Sequence, residues 1–544
     1  MRKKTLSALL CTVAAMAVLT GCGGDKKETA AAPAEGNTTA AVTEAAKTEA
    51  ETTAAAQTEA GGEKNLVMPS ASCVANLNPL LEGYKEAAML NPIYDPLYVI
   101  DVNETRYYLA DSYEVSEDGM QITVKLKEGL KWHDGEAITA DDMIFTMDVC
   151  SDTNNGAGGT NIVILNDQPV KYEKVDDLTV KVTLPMASAS YADLLGGLTL
   201  IPEHVFEGNP SVVSAGEANM KGIGSGPYKV TEFKQDEYLL LEKYEDYYMG
   251  APSIDKVTFR IISDLSAQEV ALMNGEVNFM ELANAPAVAK YEADPNFTVV
   301  KYPEGRVNYL AVNKFCETVQ DPKVVEAVFA ALNRDEIIAG AYGDGMAESA
   351  NSIFSNVNTF YDPSVEGYTQ DVEKAKQLVK ETGLDSKTLT LYFNSERVYM
   401  KESAQIIQQQ LKNVGINLEV IPLESAGFFE KVFGTDGDYE FYLNGYGAVG
   451  DPDQVVAGMY DGTWGVNLAV SDEVSQLWKD ARTVYTPEER AAIYKQIQIQ
   501  TRDELTCYPI AYPNYVFVTT SNIKGADTIK RTPVFEDYTK LTME

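Results

Sequence analysis

The chain has 544 residues, 45% of them hydrophobic, only two histidines, and a formal charge of -37. That length supports several domains and a large core. The charge repels nucleic acid and anionic membrane, so a polyanion partner is excluded, and the scarcity of imidazole leaves few general bases or metal ligands.

Met1-Arg2-Lys3-Lys4 precedes an apolar run over 6–19 and then Leu19-Thr20-Gly21-Cys22. A basic head, a short apolar stretch and small residues predict a secretory signal peptide, because a permanent span needs about 20 apolar residues. The quartet resembles a lipobox, in which Cys22 receives diacylglycerol and becomes the mature N-terminus. Residues 1–22 are therefore read as signal and lipobox, and the mature chain as lipid-anchored on the extracytoplasmic face of the cell membrane. Residues 23–63 are rich in Ala, Thr, Glu and Gly. They offer too little apolar surface to offset ordering entropy and predict a disordered tether. Cys73, Cys150, Cys316 and Cys507 are widely spaced, without a Cys-x-x-Cys pair. Structural zinc is not expected, and buried free thiols are, although three disulfide pairings stay open.

Folded structure is expected from a short strand at 66–68 that runs into the loop Pro69-Ser70-Ala71-Ser72-Cys73. Alternation predicts strands at 122–126 and 178–184, with further strands at 238–241 and 256–262. Thr139-Ala140-Asp141-Asp142 reads as an acidic capping box ahead of a helix over 143–149. Asp321-Pro322 opens another helix, and Asp371 caps one that stops at Gly383. Strands at 389–393, 417–421 and 439–443 alternate with helices at 402–413 and 428–433, the β-α-β-α-β order of a parallel α/β lobe. Thr486-Pro487-Glu488-Glu489 is a full capping box and predicts a long helix to about 505.

Motifs for enzymatic chemistry come up short. There is no His-Glu-x-x-His and no Gly-Lys-Ser/Thr phosphate loop, and Gly224-Ser225-Gly226-Pro227 lacks the spacing of a nucleophile elbow. Its glycines read as a tight turn before a strand. His133, in Trp132-His133-Asp134-Gly135, is expected to bond Asp134 locally. Gly445-Tyr446-Gly447-Ala448-Val449-Gly450 matches Gly-x-Gly-x-x-Gly, and Asp472 stands where a ribose-binding acid would. The motif falls late in its lobe, so it is read as a loop where backbone approaches another kind of ligand. Carboxylate pairs are too numerous in so acidic a chain to mark a hydrolase, which stays the alternative from a different class. The 31 tyrosines suggest aromatic surfaces, among them Tyr446 with Tyr460 and Trp464. No catalysis, cofactor or metal is expected.

Leu109-Ala110-Asp111-Ser112-Tyr113-Glu114-Val115-Ser116-Glu117-Asp118-Gly119, Gly129-Leu130-Lys131-Trp132-His133-Asp134-Gly135, Gly224-Ser225-Gly226-Pro227-Tyr228, Ala271-Leu272-Met273-Asn274-Gly275-Glu276 and Pro487-Glu488-Glu489-Arg490 together closely resemble the extracellular solute-binding proteins of family 5. These are the oligopeptide-, dipeptide- and nickel-binding components of ABC importers. The resemblance covers about 66–544. It implies an α/β fold, a type II periplasmic-binding-protein-like clamshell of two lobes with an extra domain inserted in the first. On that pattern the first lobe takes 64–100, 222–306 and 507–544, the inserted domain 101–221 and the second lobe 307–506, with crossings near 306–310 and 505–510. The loop 70–76, with Ser72, Cys73 and Asn76, and the loop of Tyr446, Gly447, Ala448 and Asp451 would wall the cleft, with Tyr460 and Trp464 behind the second. Arg397 and Lys401 stand where relatives place basic groups near a ligand carboxylate. Peptide-binding relatives carry an aspartate a few residues before the Asp-Pro pair, and here Val449 stands near that position. Either Asp451 or Asp453 substitutes, or the ligand is not a peptide with a free N-terminus. The implied protein is a monomeric receptor that captures a small solute and hands it to a membrane permease. The solute is a peptide or, in the alternative, a metal chelate, an opine-like molecule or a sugar derivative.

Overall fold

The computed structural model describes residues 63–82, 89–100, 104–165, 167–447, 449–460, 468, 470–528 and 537–544. The signal peptide, Cys22, the tether, Ala448 and Trp464 lie outside the described residues. No helix among the described residues is long and apolar enough to cross a membrane.

A first sheet has the order Asn65–Ser70, Lys256–Ile261, Tyr238–Lys243, Tyr228–Lys234. Its outer strand Asn65–Ser70 is parallel to its neighbour, and the other pairs are antiparallel. Alternation turns Leu66, Met68, Leu239, Leu241, Val257 and Phe259 into one core. A second, antiparallel sheet joins Ala110–Val115, Gln121–Leu126, Thr179–Thr183 and Lys171–Asp176. The helix Ala140–Ser151 packs with it, and its capping box forms as expected: the Asp142 carboxylate accepts the Thr139 N–H at 2.9 Å. This sheet has its own core around Val124, Trp132, Met143 and Val180.

The third sheet has eight strands. Thr388–Asn394 runs parallel to Asn417–Leu423 on one side and to Phe441–Gly447 on the other. The helices Val398–Asn413 and Ser425–Phe433 make the connections, so the expected β-α-β-α-β unit is present. Asp321 and Asp371 cap their helices, and Gly383 ends one with a left-handed φ of 68°. Two expectations shift. The last strand begins at Phe441 and continues into the glycine motif as far as Gly447. The Thr486 hydroxyl bonds the Glu489 carboxylate instead of a backbone N–H, so that capping box does not close, although Pro487 still opens the helix Pro487–Asp503.

Cys507–Thr520, 14 residues long, continues the sheet beyond Arg306–Val312. Its first part pairs with Arg306–Val312 and its second with Phe297–Pro303. The partner changes between Ala511 and Asn514, opposite 303–306, where Glu304 N–H donates to Pro513 O at 2.9 Å. The expected crossings at 306–310 and 505–510 therefore lie largely inside paired strand, and the partner change falls a few residues away.

Gly224 and Gly226 serve a close approach. A Cβ on Gly224 would sit 2.0 Å from Ile93 O and one on Gly226 2.7 Å from Pro92 O. His133 locks this junction. Gly224 N–H donates to its Nδ1 at 3.1 Å, and Nε2 lies 2.9 Å from Gly226 O. The expected bond to Asp134 is not made, because His204 Nε2 meets that carboxylate at 2.8 Å. Burial pushes the His133 pKa down to about 4, in keeping with a neutral ring that accepts at Nδ1 and donates at Nε2. Cys150, Cys316 and Cys507 are buried free thiols and Cys73 is a half-buried one.

Since His133 is harder to protonate folded than unfolded, its contribution is complete above about pH 6.5 and is lost as pH falls towards 4, up to about 3 kcal/mol. Asp95, whose carboxyl burial lifts to about 7, titrates in the same window with the opposite sign. The readout is therefore a difference: urea unfolding at pH 7 and pH 4.5 should show a smaller fall for His133→Asn than for the unsubstituted protein.

Candidate ligand-binding site

The strand Phe441–Gly447 delivers the glycine motif to one end of the third sheet, and Asp451 caps the short helix Pro452–Val455 that follows. Four residues of helix make no dinucleotide phosphate site. The Asp451 carboxylate is held in two prongs by Arg490, at 2.5 and 3.0 Å. Asp451 is 7% and Arg490 5% exposed, so this is a buried ion pair. Asp451 also accepts the Asp453 N–H at 3.0 Å, and the Arg490 guanidinium lies 4.8 Å over the Phe360 ring. Next to it the Asp453 carboxylate takes Arg482 Nε at 2.6 Å. Burial raises the Asp453 pKa despite Arg482.

The segment 189–193 reaches this loop. Asp193, on the helix Tyr191–Gly196, accepts the Asp451 N–H at 3.0 Å. Ser190 Oγ donates to Asp453 Oδ2 at 2.9 Å and accepts from Gln454 Nε2 at 2.6 Å. Ala189 N–H donates to Arg482 O at 3.0 Å. Gly450, with φ 81°, brings its backbone under Asp193: a Cβ there would lie 2.9 Å from Asp193 Oδ2. At the other end of the contact Tyr485 occupies the space over Gly119.

Tyr446 and Tyr460 are brought together, hydroxyl to hydroxyl at 3.1 Å, and Tyr446 also donates to Ile353 O at 2.6 Å. Tyr446 is half-buried, whereas Tyr460 is fully buried against Trp478 and so lies behind Tyr446 in the core. Gly447 is exposed at the strand end. Arg397 stands at the start of the helix Val398–Asn413, half-buried, with Lys401 exposed one turn on. Arg397 and Arg306 both act on Glu304, whose pKa burial raises and the two guanidiniums lower. On the first sheet, Ser72 O accepts from Ser70 Oγ at 2.7 Å, and Asn76 N–H donates to Glu82 at 2.8 Å. Burial raises the Cys73 thiol pKa, with Asp236 nearby. A concavity of about 690 Å³ on the second sheet, lined by residues such as Val163, Tyr172 and Lys181, contains none of the candidate residues.

Sequence reasoning missed Ser190, Asp193, Arg482, Glu304, Arg306 and the role of Arg490. Ser190, Asp193, Arg306, Arg482 and Arg490 meet hydrogen-bond partners well removed along the chain, and Glu304 feels Arg397 as well as its neighbour Arg306.

Residues 104–467 match the model of the bacterial extracellular solute-binding proteins, family 5. The dipeptide-binding protein of Escherichia coli is 27% identical over 499 residues, covering 85% of this chain and 92% of that protein. The oligopeptide-binding protein AppA of Bacillus subtilis is 29% identical, covering 77% of this chain and 80% of its own. The crystal structure of the ABC transporter substrate-binding protein CtaP of Listeria monocytogenes superposes with a TM-score of 0.82 at 33% identity, over 88% of this chain and 99% of that one. The fold is thus the two-lobed type II clamshell with an inserted domain.

Replacing Asp451 by Ala leaves the Arg490 charge buried without its counterion. Urea unfolding should show a loss of about 3–5 kcal/mol, against well under half of that for Asp453→Ala, whose partner Arg482 can turn to water. The matched residues, the relatives and the fold agree that the chain belongs to the family 5 extracellular solute-binding proteins, the substrate-binding components of ABC importers.

Proposed function

We propose that this protein is a lipid-anchored receptor that captures a peptide between its two lobes and delivers it to a membrane permease without altering it. The observation that carries the reading is the contact of 189–193 with 450–454 and Arg482, where the inserted segment bridges to the loop of the third sheet. Such a bridge makes and breaks as lobes move, and solute contacts with both lobes favour the shut form. We place the first lobe at 64–100, 222–306 and 507–544, the inserted domain at 101–221 and the second lobe at 307–506. The chain crosses between the lobes near 306–310 and 505–510. Peptide is favoured because relatives named for dipeptide and oligopeptide binding align over most of the chain. Ser72, Cys73, Asn76, Tyr446, Gly447 and Asp451 form or support the walls. The acyl chain on Cys22 holds a monomer at the cell surface.

A non-peptide solute is the second reading, and one observation favours it. Val449 stands where an acid would grip a peptide's ammonium, and Asp451 and Asp453 are already paired to Arg490 and Arg482. Mass spectrometry of whatever co-purifies separates the two: a peptide upholds the first reading, a chelate or sugar derivative the second, and a processed product in place of the added solute would make the protein an enzyme. Asp193→Ala combined with Ser190→Ala should weaken binding of the identified solute by about 5- to 150-fold, since the bond of each contributes about 0.5–1.5 kcal/mol to the shut form. The unfolding temperature without solute should change little. Unchanged affinity would remove the bridge from the closing step. Cys22→Ser should release the protein from the membrane fraction and abolish an acyl mass on its N-terminus.

A further inference from the structure

The turn 92–97 passes between the first two sheets. Tyr228 N–H, at the start of a strand of the first sheet, donates to Pro92 O at 2.9 Å. Ala110 N–H, at the start of a strand of the second, donates to Leu97 O at 3.0 Å. Asp95 lies in this turn and is only 4% exposed. Its N–H donates to Ser225 Oγ at 3.0 Å, and its Oδ2 accepts the hydroxyls of Tyr247 and Tyr248, each at 2.8 Å. Lys127, just past a strand of the second sheet, lies 5.2 Å over the Tyr248 ring and donates to Tyr107 O at 2.7 Å. Burial lifts the Asp95 carboxyl to about 7 while both hydroxyls pull it down, so the two donors help to keep a charge in this place.

The Tyr247 hydroxyl has a second acceptor within reach, Met249 Sδ at 3.5 Å. A phenol carries one proton, and a thioether is a weaker acceptor than a carboxylate, so the proton goes to Asp95. Met249 is 45% exposed, so its side chain is open to solvent and to what solvent carries. Extracellular solute-binding proteins work outside the reducing cytosol. One sulfur thus joins an exposed surface to the hydroxyl that holds a buried acid.

We propose that Met249 is a site of reversible oxidation by peroxides, and that its sulfoxide takes the Tyr247 proton from Asp95 and loosens the junction of the two sheets. A sulfur lone pair forms the S–O bond as the O–O bond breaks, and the departing hydroxide takes the proton of the transferred hydroxyl and leaves as water. The sulfur loses two electrons and the peroxide gains them. The new oxygen is a polar acceptor on a flexible, unbranched side chain already beside the hydroxyl. Asp95 then keeps only the Tyr248 hydroxyl of its two, a buried carboxylate short of one charge-assisted bond.

The experiment is hydrogen exchange of the full-length protein at pH 8, before and after hydrogen peroxide, with sulfoxide at each methionine read by mass spectrometry. The amides of Asp95, Gly226 and Tyr228 report on the junction, since they donate to Ser225, Ile93 and Pro92. After oxidation they should exchange about 10- to 100-fold faster, and methionine sulfoxide reductases should restore the slow rate. Met220 and Met273, 41% and 53% exposed, are the controls. In Met249→Leu they should still oxidise while the junction stays slow. In Tyr247→Phe oxidation of Met249 should change exchange by less than about threefold, because the shared proton is gone. Should that variant fold poorly, Asp95→Asn, which has no charge to leave short of a donor, should show the same small change. A junction that stays slow once Met249 is oxidised overturns the proposal, and so does equal acceleration in Met249→Leu. Full acceleration in Tyr247→Phe or Asp95→Asn overturns the shared proton. A Met249 that peroxide leaves intact while Met220 and Met273 react overturns the site itself.

Discussion

The backbone ladder of Cys507–Thr520 is the constraint from which the rest follows. Tyr508, Ile510 and Ala511 enter one core, Cys507 and Tyr512 a second, Phe517 a third, and Val516 with Val518 a fourth. A slip of one residue would turn all of these to the wrong faces, so its register is fixed from both sides at once. The strand contains Pro509 and Pro513, which have no N–H to give. Opposite Pro509 the pairing with Arg306–Val312 shifts register between Asn308 and Tyr309. Such irregularities re-aim side chains, and this one sits at Asn308, whose amide oxygen is left facing Gly445. A missing donor in one strand thus shapes the polar spot on its neighbour.

Electrostatics sets the second constraint. Asp193, Asp451 and Asp453 gather around Gly450 in a chain already heavily negative. Arg490 and Arg482 make that possible, and they do so differently. Arg490 is buried, stacked on Phe360 and locked to Asp451, so it fixes the shape of the loop. Arg482 is partly open to water and meets Asp453 at the edge where Ser190 arrives. The first pair belongs to the scaffold and the second to the contact. An aspartate near the expected ligand position can therefore be structural, and the Asp-Pro pair in the sequence does not distinguish the two roles.

Local order was legible wherever one short signal decides it. Thr139, Asp321, Asp371 and Gly383 mark helix ends because capping involves neighbours only. The parallel unit around Thr388–Asn394 was legible from its alternation of apolar runs. The Thr486 box failed because a glutamate competed for the same hydroxyl. His133 failed because its real partners, Gly224 and Gly226, come from far along the chain while Asp134 was merely close in sequence. The same reason hid Arg306 and Asp193, whose partners Gly445 and Asp451 come from far along the chain. Tyr446 and Tyr460 could be paired from the sequence, but which one faces outward depends on how Trp478 packs behind them.

The contact at Gly450 rests on a balance of its own. The bonds of Ser190 and Asp193 favour contact between the segment 189–193 and the loop 450–454, each by about 0.5–1.5 kcal/mol. Crowding three carboxylates near Gly450 opposes it. A receptor with a strong clasp and a satisfied interior would shut on nothing. Moving a two-state equilibrium from 1:99 to 99:1 takes about 5.5 kcal/mol of preference for one state. A solute that supplies partners for a few buried, charge-assisted hydrogen bonds reaches that range, whereas water at a surface clasp does not.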